Sequence, residues 1–208
     1  MAVGQSAAPN YAPDWNATPT RRLPIVRLDD GKRTVEMAKW GLLPFWAKDE
    51  KVAYSTFNAR AEALMSMRSY RMPWERRQRC IVPVDNFYEW KTLAPKVKEP
   101  YAIALPDRNI MALAGLWENW KSPSGETVRS FTIITTEPSG EMAPIHNRMP
   151  VILPPAAWPT WLGEDDMSLE AVKELLVPYG EHLVMWKVHK DVGNVKNNPA
   201  GLVERIPD

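Results

Sequence analysis

Apolar and polar residues near the start of the chain alternate in the way that half-buried strands require. The run "LPIVRL" (Leu23 to Leu28) and the run "TVEMAKWGLL" (Thr34 to Leu43) flank the dipeptide Asp30-Gly31. An Asp-Gly pair between two such runs is a strong signal for a two-residue turn. The pattern therefore predicts a first β-hairpin.

Four further apolar runs, rich in β-branched and aromatic residues, occupy the middle of the chain. Turn signals at Pro106-Asp107 and at Ser122 to Gly125 separate them, so successive strands are expected to pair antiparallel. His182 to Val188 has the character of a closing strand. We predict an α+β fold, mainly antiparallel β-sheet, with a barrel-like core and flanking helices. The four runs are "CIVPVDNFYEW", "PYAIAL", "NIMALAGLWENW" and "SFTIITT".

Helices are predicted at four places, two before these runs and two after them. Phe57 to Met67 contains strong helix formers after Asn58, which could cap the helix. Pro73 to Arg79 is a shorter candidate with proline at its first position. Downstream, "AAWPTWLG" and Ser168 to Leu176 are helical in character, and Ser168 is a plausible N-cap.

No repeat or composition shift divides the chain, so residues 1–208 are predicted to form a single domain. Met1 to Thr20 is rich in Ala, Pro, Asn and Ser without periodicity, and we expect an extended, loosely held arm there. No apolar run is long enough for a membrane span, and no secretory signal is visible. The single cysteine, Cys80, excludes an internal disulfide and fits a reducing compartment, so a cytoplasmic protein is expected.

Charge and motif content narrow the chemistry. The formal net charge is +1, yet the segment from Asn58 to Lys98 holds nine Lys/Arg against four Asp/Glu, a net of +5, and could form a basic face. Three scattered histidines and the lack of paired Cys/His spacing argue against a metal site. No glycine-rich phosphate loop or nucleophile elbow occurs, and no cofactor is expected.

Polar residues cluster at three predicted element ends where packing does not require them. "STFNARAEAL" carries Asn58, Arg60 and Glu62, "VPVDNFYEWK" carries Glu89, and "APIHNRMPVILP" carries His146 and Arg148. Each cluster has an ordinary structural alternative: a helix cap, a solvated strand residue, or a satisfied core histidine. If they converge, an amide, a carboxylate and an imidazole can position and transfer protons in a carbonyl or imine reaction.

The aromatic residues suggest a partner. Ten tryptophans occur, and "KWGLLPFW", "FYEWK" and "LWENWK" interleave rings with cations. This arrangement suits stacking of unpaired bases beside phosphate contacts. The alternative is that most of these rings belong to the core, because tryptophan buries a large area.

Five ordered segments carry a specific resemblance. They resemble the SRAP family (SOS response-associated peptidase), whose members sense abasic sites in single-stranded DNA. The resemblance implies one SRAP-like domain and a DNA damage response function. In the family reaction the α-amine of an N-terminal cysteine condenses with the aldehyde of the opened sugar, and its thiol closes a stable thiazolidine crosslink. The segments are "KWGLLPFWAKD", "FNARAEAL", "RQRCIVPVDNFYEWK", "MALAGLWENW" and "FTIITTEPSGEMAPIHNRMPVIL".

The resemblance also implies residue roles. Asn58 resembles the residue that positions the N-terminus and the lesion, Glu89 the proton-transfer carboxylate, and His146 the residue that contacts the opened sugar. Arg60 and Arg148 resemble the phosphate-binding arginines.

Three further side chains are candidates for the DNA groove on the same resemblance: Arg71, Trp40 and Trp90. The implied partner is single-stranded DNA with abasic sites, and the protein is expected to be a monomer. The implied location is a bacterial type of cytoplasm, with association to the nucleoid when DNA is bound.

The N-terminus departs from the family pattern. Members begin Met-Cys-Gly-Arg, whereas this sequence begins "MAVGQSAAPNY", with Ala2 where the family has its nucleophile. We expect a truncated start, and a crosslinking activity that is absent in this form. Two alternatives are a non-covalent single-stranded DNA-binding module and a peptidase limited to self-processing. The peptidase ranks last because no Ser or Cys nucleophile pairs with a base in the sequence.

Overall fold

A computed structural model describes residues 11–207, and strands dominate it. Three short α-helices and five 3₁₀ turns connect the strands. The helices are α1 (Arg68–Glu75), α2 (Trp158–Leu162) and α3 (Leu169–Lys173). The strands are β1 (Arg22–Asp29), β2 (Lys32–Trp40), β3 (Asn58–Arg60), β4 (Arg79–Val84), β5 (Phe87–Ala94), β6 (Val97–Ala104), β7 (Met111–Lys121), β8 (Thr127–Thr136), β9 (Met149–Pro150) and β10 (Val184–Lys187).

Five strands close into a barrel in the order β2, β1, β4, β7, β8. The neighbours pair antiparallel, and the ring closes where β2 meets β8 in parallel at Lys39–Ser130 and Trp40–Phe131. Closure satisfies backbone groups that an open sheet would leave at its edges. The predicted α+β class with a mainly antiparallel, barrel-like core is confirmed.

The first predicted hairpin is also confirmed, and its turn explains why. Asp30 and Gly31 join β1 to β2 with φ of 47° and 71°. Two successive positive φ values match a type I′ turn, whose twist fits paired strands. Glycine adopts this backbone without strain, and aspartate tolerates it better than most residues.

Alternation along the barrel strands separates two apolar clusters. One receives a residue from each of the five strands and therefore fills the barrel: Ile25, Ala38, Cys80, Leu113 and Phe131. The second lies outside, where α1, α2 and α3 cover it; its strand residues include Val26, Ile81 and Ile134. The helices thus flank the barrel.

A second sheet, β10-β6-β5, carries part of the candidate site. Its strands pair antiparallel. Phe87 and Ile103 pack on the barrel-filling cluster, while Tyr88 and Ala102, each one residue away, pack with Trp186 on the opposite side. Residues of odd number in β5 therefore face the barrel, and Glu89 is one of them.

The predicted helix from Phe57 to Met67, capped by Asn58, is wrong. Asn58 lies in β3, which pairs in parallel with β8 from Ile133 to Thr135, and the Ile133 N–H donates to the Phe57 carbonyl at 3.0 Å. Pairing with a buried strand overrides the helix propensity of this Ala-rich segment. The helix begins later, at Arg68.

The other helix predictions fared differently. Pro73 is not the first residue of a helix from Pro73 to Arg79, because α1 begins at Arg68 and includes this proline. Ser168 does cap α3: its hydroxyl accepts from the Ala171 N–H at 3.2 Å.

The predicted closing strand is confirmed by β10. No helix of the described residues is long and apolar enough to cross a membrane.

The expected N-terminal arm is described from Tyr11 onward, and residues 1–10 lie outside the described part. Residues 11–20 form neither helix nor strand, but they are held firmly at Asn16. The Asn16 amide, 4% exposed, donates to the carbonyls of Val192, Asn194 and Asn197 at 3.0–3.2 Å. This part of the arm is therefore anchored to the C-terminal segment rather than loosely held.

Candidate active site

Glu89 projects from β5 toward the barrel, in an environment that disfavours its charge. Its Cα pairs with Tyr101 of β6, and 22% of its side chain is exposed. Burial raises the pKa of the Glu89 carboxyl above its ordinary value, while the neighbouring His146 and the more distant Lys98 oppose that rise. A carboxyl group with a raised pKa is suited to give and take protons near neutral pH.

His146 lies in the loop between β8 and β9, opposite Glu89. Its Nδ1 is 3.6 Å from Oε1 of Glu89, and its backbone N–H donates to the Met142 carbonyl at 3.0 Å. The same Nδ1 can accept from the Arg148 N–H at 3.2 Å or, when protonated, donate to the Arg148 carbonyl at 3.1 Å. The Arg148 backbone therefore fixes the orientation of the ring whichever tautomer is present.

Asn58 lies on β3 with its side chain exposed. Its backbone carbonyl accepts from the Tyr70 hydroxyl at 3.1 Å, which ties β3 to α1. Within residues 11–207 its amide contacts neither Glu89 nor His146. The structure thus brings Glu89 and His146 together, whereas Asn58 lies on β3, a short strand that pairs with β8 at the side of the barrel.

Arg148 joins the His146 loop to the segment after β3. Its Nη1 and Nη2 donate to the two carboxylate oxygens of Glu62 at 2.8 and 3.0 Å, and Nη2 also donates to the Thr135 carbonyl at 2.7 Å. The Arg148 charge lowers the pKa of Glu62. Because Cα of Thr135 pairs with Arg60, the end of β3 lies beside this ion pair.

The other two predicted arginines are exposed. Arg60 makes no ion pair within the described residues, although its charge contributes to the lowered pKa of Glu62. Arg71, on α1, is bound by Glu75 one turn later at 2.8 Å. Arg60 is the more available of the two for a phosphate, and the DNA-binding role of both stays a prediction.

The two predicted tryptophans are packed. Trp40 Nε1 donates to the Phe57 carbonyl at 2.8 Å, and its ring meets Phe57 edge-on at 6.0 Å. Trp90 packs against the cluster around Trp186. In the segment "KWGLLPFW" the most exposed ring is Phe45, at 55%. Exposure is decided by the register of strands and turns, so no local sequence pattern singles out Phe45.

Cys80 is excluded as a nucleophile by its surroundings. It is fully buried in β4, and burial raises the pKa of its thiol far above the ordinary value. A thiol in that environment stays protonated and inert. No group of three or more His, Cys, Asp or Glu side chains suited to a metal ion occurs within residues 11–207.

Known proteins share much of this sequence. Residues 1–195 match the sequence model of a family described as SOS response associated peptidase (SRAP). The abasic site processing protein YoqW of Bacillus subtilis is 40% identical over 195 residues, which are 93% of this chain and 87% of that protein. The abasic site processing protein HMCES of Rattus norvegicus is 28% identical over 225 residues, 90% of this chain and 64% of that protein.

A solved structure supports the same assignment. A crystal structure of a protein from Bacteroides thetaiotaomicron superposes with a TM-score of 0.81 at 31% identity, covering 90% of this chain and 82% of that one. The chain therefore belongs to the SRAP family.

Proposed function

We propose that this protein recognises abasic sites in DNA and that Glu89 and His146 form the pocket for the opened sugar. The observation that carries the proposal is the 3.6 Å approach of Oε1 of Glu89 to Nδ1 of His146, with the carboxyl pKa raised by burial. Relatives named abasic site processing proteins support the choice of lesion. An abasic site in its opened form exposes an aldehyde, and this pair can move protons at such a carbon.

The chemistry follows from the pair. An amine that adds to the aldehyde gives a carbinolamine, and protonated Glu89 supplies the proton with which the hydroxyl leaves as water. A protonated imine remains, which becomes the neutral imine when its nitrogen returns a proton to the Glu89 carboxylate. His146 can hold the sugar hydroxyl freed by ring opening. Where the amine belongs to an N-terminal cysteine, its thiol adds to the imine carbon and closes a thiazolidine. Cys80 cannot supply that thiol, because it is buried within a strand and has no free α-amine.

A single strand is the proposed form of the DNA. Arg60 is exposed beside the end of β8, and Arg148 lies across from it. Both arginines lie beside Thr135, and their guanidinium groups can hold phosphates that flank an unpaired lesion while the sugar enters the pocket. Phosphate contacts of this kind bind any sequence, and the pocket then selects the lesion.

Equilibrium binding tests the proposal. The affinity of the protein for a short fluorescent single strand that contains one natural abasic site is compared with that for the undamaged strand. We expect tighter binding of the abasic strand, and we expect Glu89→Gln and His146→Gln to remove this preference while affinity for the undamaged strand is kept. Equal affinity of the wild-type protein for both strands would overturn the proposal.

A denaturing gel of the same mixtures tests the covalent step separately. We expect an adduct that survives denaturation only in a preparation whose N-terminal residue is cysteine. An adduct that instead depends on Cys80, and is lost in Cys80→Ser, would contradict the assignment of the thiol.

A further inference from the structure

The Glu62–Arg148 ion pair occupies the end of a guanidinium group that a phosphate would use. Two parallel bonds, at 2.8 and 3.0 Å, run from Nη1 and Nη2 of Arg148 to the two oxygens of Glu62. A phosphodiester also presents two oxygens that share one negative charge, and guanidinium binds it in the same two-bond geometry. The Glu62 carboxylate therefore has the charge and shape of the ligand that Arg148 is proposed to bind.

The other N–H groups of Arg148 cannot bind a phosphate in place of the Nη1 and Nη2 pair that Glu62 occupies. The second hydrogen of Nη2 goes to the Thr135 carbonyl at 2.7 Å. Nε is buried, and within the described residues it has no hydrogen-bond partner. A phosphate that approaches from solvent consequently has no free pair of donors on this guanidinium while Glu62 is in place.

The two partners differ in how easily they can move. The Glu62 side chain is 58% exposed, whereas the Arg148 side chain is 18% exposed and is held by the Thr135 carbonyl. Glu62 can turn into water with little loss of solvation, but Arg148 left alone would be a largely buried, unpaired cation. Exchange of the carboxylate for a phosphate keeps the guanidinium paired throughout.

We propose that Glu62 is a positioning residue: it holds Arg148 in place in the absence of DNA, and a DNA phosphate displaces its carboxylate from the guanidinium group when DNA binds. The proposal rests on the proposed function, since it requires DNA to bind at this edge. Arg60, exposed on the neighbouring strand, can attract the same phosphate or receive the released carboxylate. Glu62 thereby lowers the affinity for every single strand and makes engagement of Arg148 conditional on a phosphate being presented.

The test is the affinity of Glu62→Gln for undamaged and abasic single strands. Glutamine keeps the shape and one neutral hydrogen bond, so Arg148 stays oriented while the competing charge is gone. We expect both strands to bind about 3- to 10-fold more tightly, the size of one exposed charge-assisted pair. Glu137→Gln is the matched control: Glu137 is exposed, directly follows β8 and makes no ion pair within the described residues, so less than a twofold change is expected.

A double-mutant cycle with Arg148→Lys shows whether the effect passes through Arg148. Lysine keeps the positive charge but cannot bind two oxygens in parallel, so Glu62→Gln should tighten binding less in that background than in the wild-type protein. Weaker binding by Glu62→Gln, or equal tightening by Glu137→Gln, would overturn the proposal. Failure of the wild-type protein to bind single strands would instead bring down the proposed function itself.

Discussion

Oε1 of Glu89 and Nδ1 of His146 lie 3.6 Å apart, although one residue belongs to the small sheet and the other to a loop of the barrel. Glu89 is on β5 of the small sheet, and His146 precedes β9, which pairs with β8 of the barrel. The pair therefore exists only when the small sheet is docked on the barrel. Its geometry is set by the apolar contacts between the two sheets, such as those of Phe87 and Ile103 with the barrel-filling cluster.

Glu89→Gln is expected to lower the rate of imine formation and to raise the thermal stability of the protein. Because burial raises the pKa of Glu89 in the folded protein, the folded state binds this proton more tightly than the unfolded state does. Ionisation of Glu89 therefore costs folding free energy: the cost is absent below the ordinary pKa of glutamate, grows as pH rises above that value, and is complete once pH passes the raised pKa. The variant should melt a few degrees higher at neutral pH, with the difference vanishing toward about pH 4.

Thermal unfolding, measured from acid to neutral pH, checks the predicted stability. Trapping with borohydride of the imine formed with an abasic strand checks the predicted rate. Loss of a proton-transfer group lowers such rates by about 10²- to 10⁴-fold. Glu141→Gln is a suitable control, because the pKa of the exposed Glu141 is lowered rather than raised. A wild-type protein that is more stable than Glu89→Gln at neutral pH would refute the assigned direction.

His146→Gln should impair the reaction without additivity to Glu89→Gln. The two groups act on the same opened sugar, Glu89 at the aldehyde carbon and His146 at the freed hydroxyl, and removal of either one disables the pair. We expect the double variant to be about as slow as the slower single variant, measured by single-turnover trapping of an abasic strand. His189→Gln is the control, since His189 is exposed and caps a 3₁₀ turn far along the chain. Effects that simply multiply would mean that the two residues work independently.

Arg60→Ala should weaken binding to all single strands alike. One phosphate contact fewer is expected to reduce the slope of log affinity against log salt by about 0.7. The slope is measured by titration at several salt concentrations. Arg71→Ala is a comparison of matched charge, and we expect a smaller effect because Glu75 already holds that guanidinium. An unchanged slope for Arg60→Ala would show that Arg60 does not contact a phosphate.

Asn16→Ala tests the anchoring of the N-terminal segment. The change leaves three buried or half-buried carbonyls without their shared donor, at a cost of about 1–3 kcal/mol in the free energy of unfolding. Chemical denaturation measures it. Asn109→Ala serves as the control, because the exposed Asn109 amide contacts Asp107 alone among the described residues. Equal stability of the two variants would show that the arm is not held by this amide.

Gly41→Ala should destabilise the turn that follows β2. Gly41 has φ of 123°, and an added Cβ would lie 2.6 Å from the Ala53 carbonyl oxygen. A strained backbone and a backbone clash together are expected to cost about 2–4 kcal/mol in the free energy of unfolding. Gly31→Ala is the control: its φ is also positive, but nothing lies within 4 Å of the added atom. Comparable losses for both variants would assign the effect to backbone strain alone.

By itself the sequence determined most of the longer strands and the first hairpin, and it named Glu89 and His146 as candidates for one site. These follow from local patterns: two-residue alternation, the Asp30-Gly31 turn, and motif segments whose order along the chain is legible without a structure. Local propensity failed at Asn58, where an Ala-rich stretch became a strand. The backbone partners it needed lie on β8, far along the chain.

Only the tertiary structure decided which charges meet. It paired Glu62 with Arg148, packed the rings of Trp40 and Trp90 into the fold and left Arg60 and Phe45 exposed. It also raised the pKa of Glu89 by burying the carboxyl group beside His146. Burial and ion pairing depend on distances between segments that sequence separates widely, and such distances are fixed by barrel closure and sheet docking, not by any local pattern.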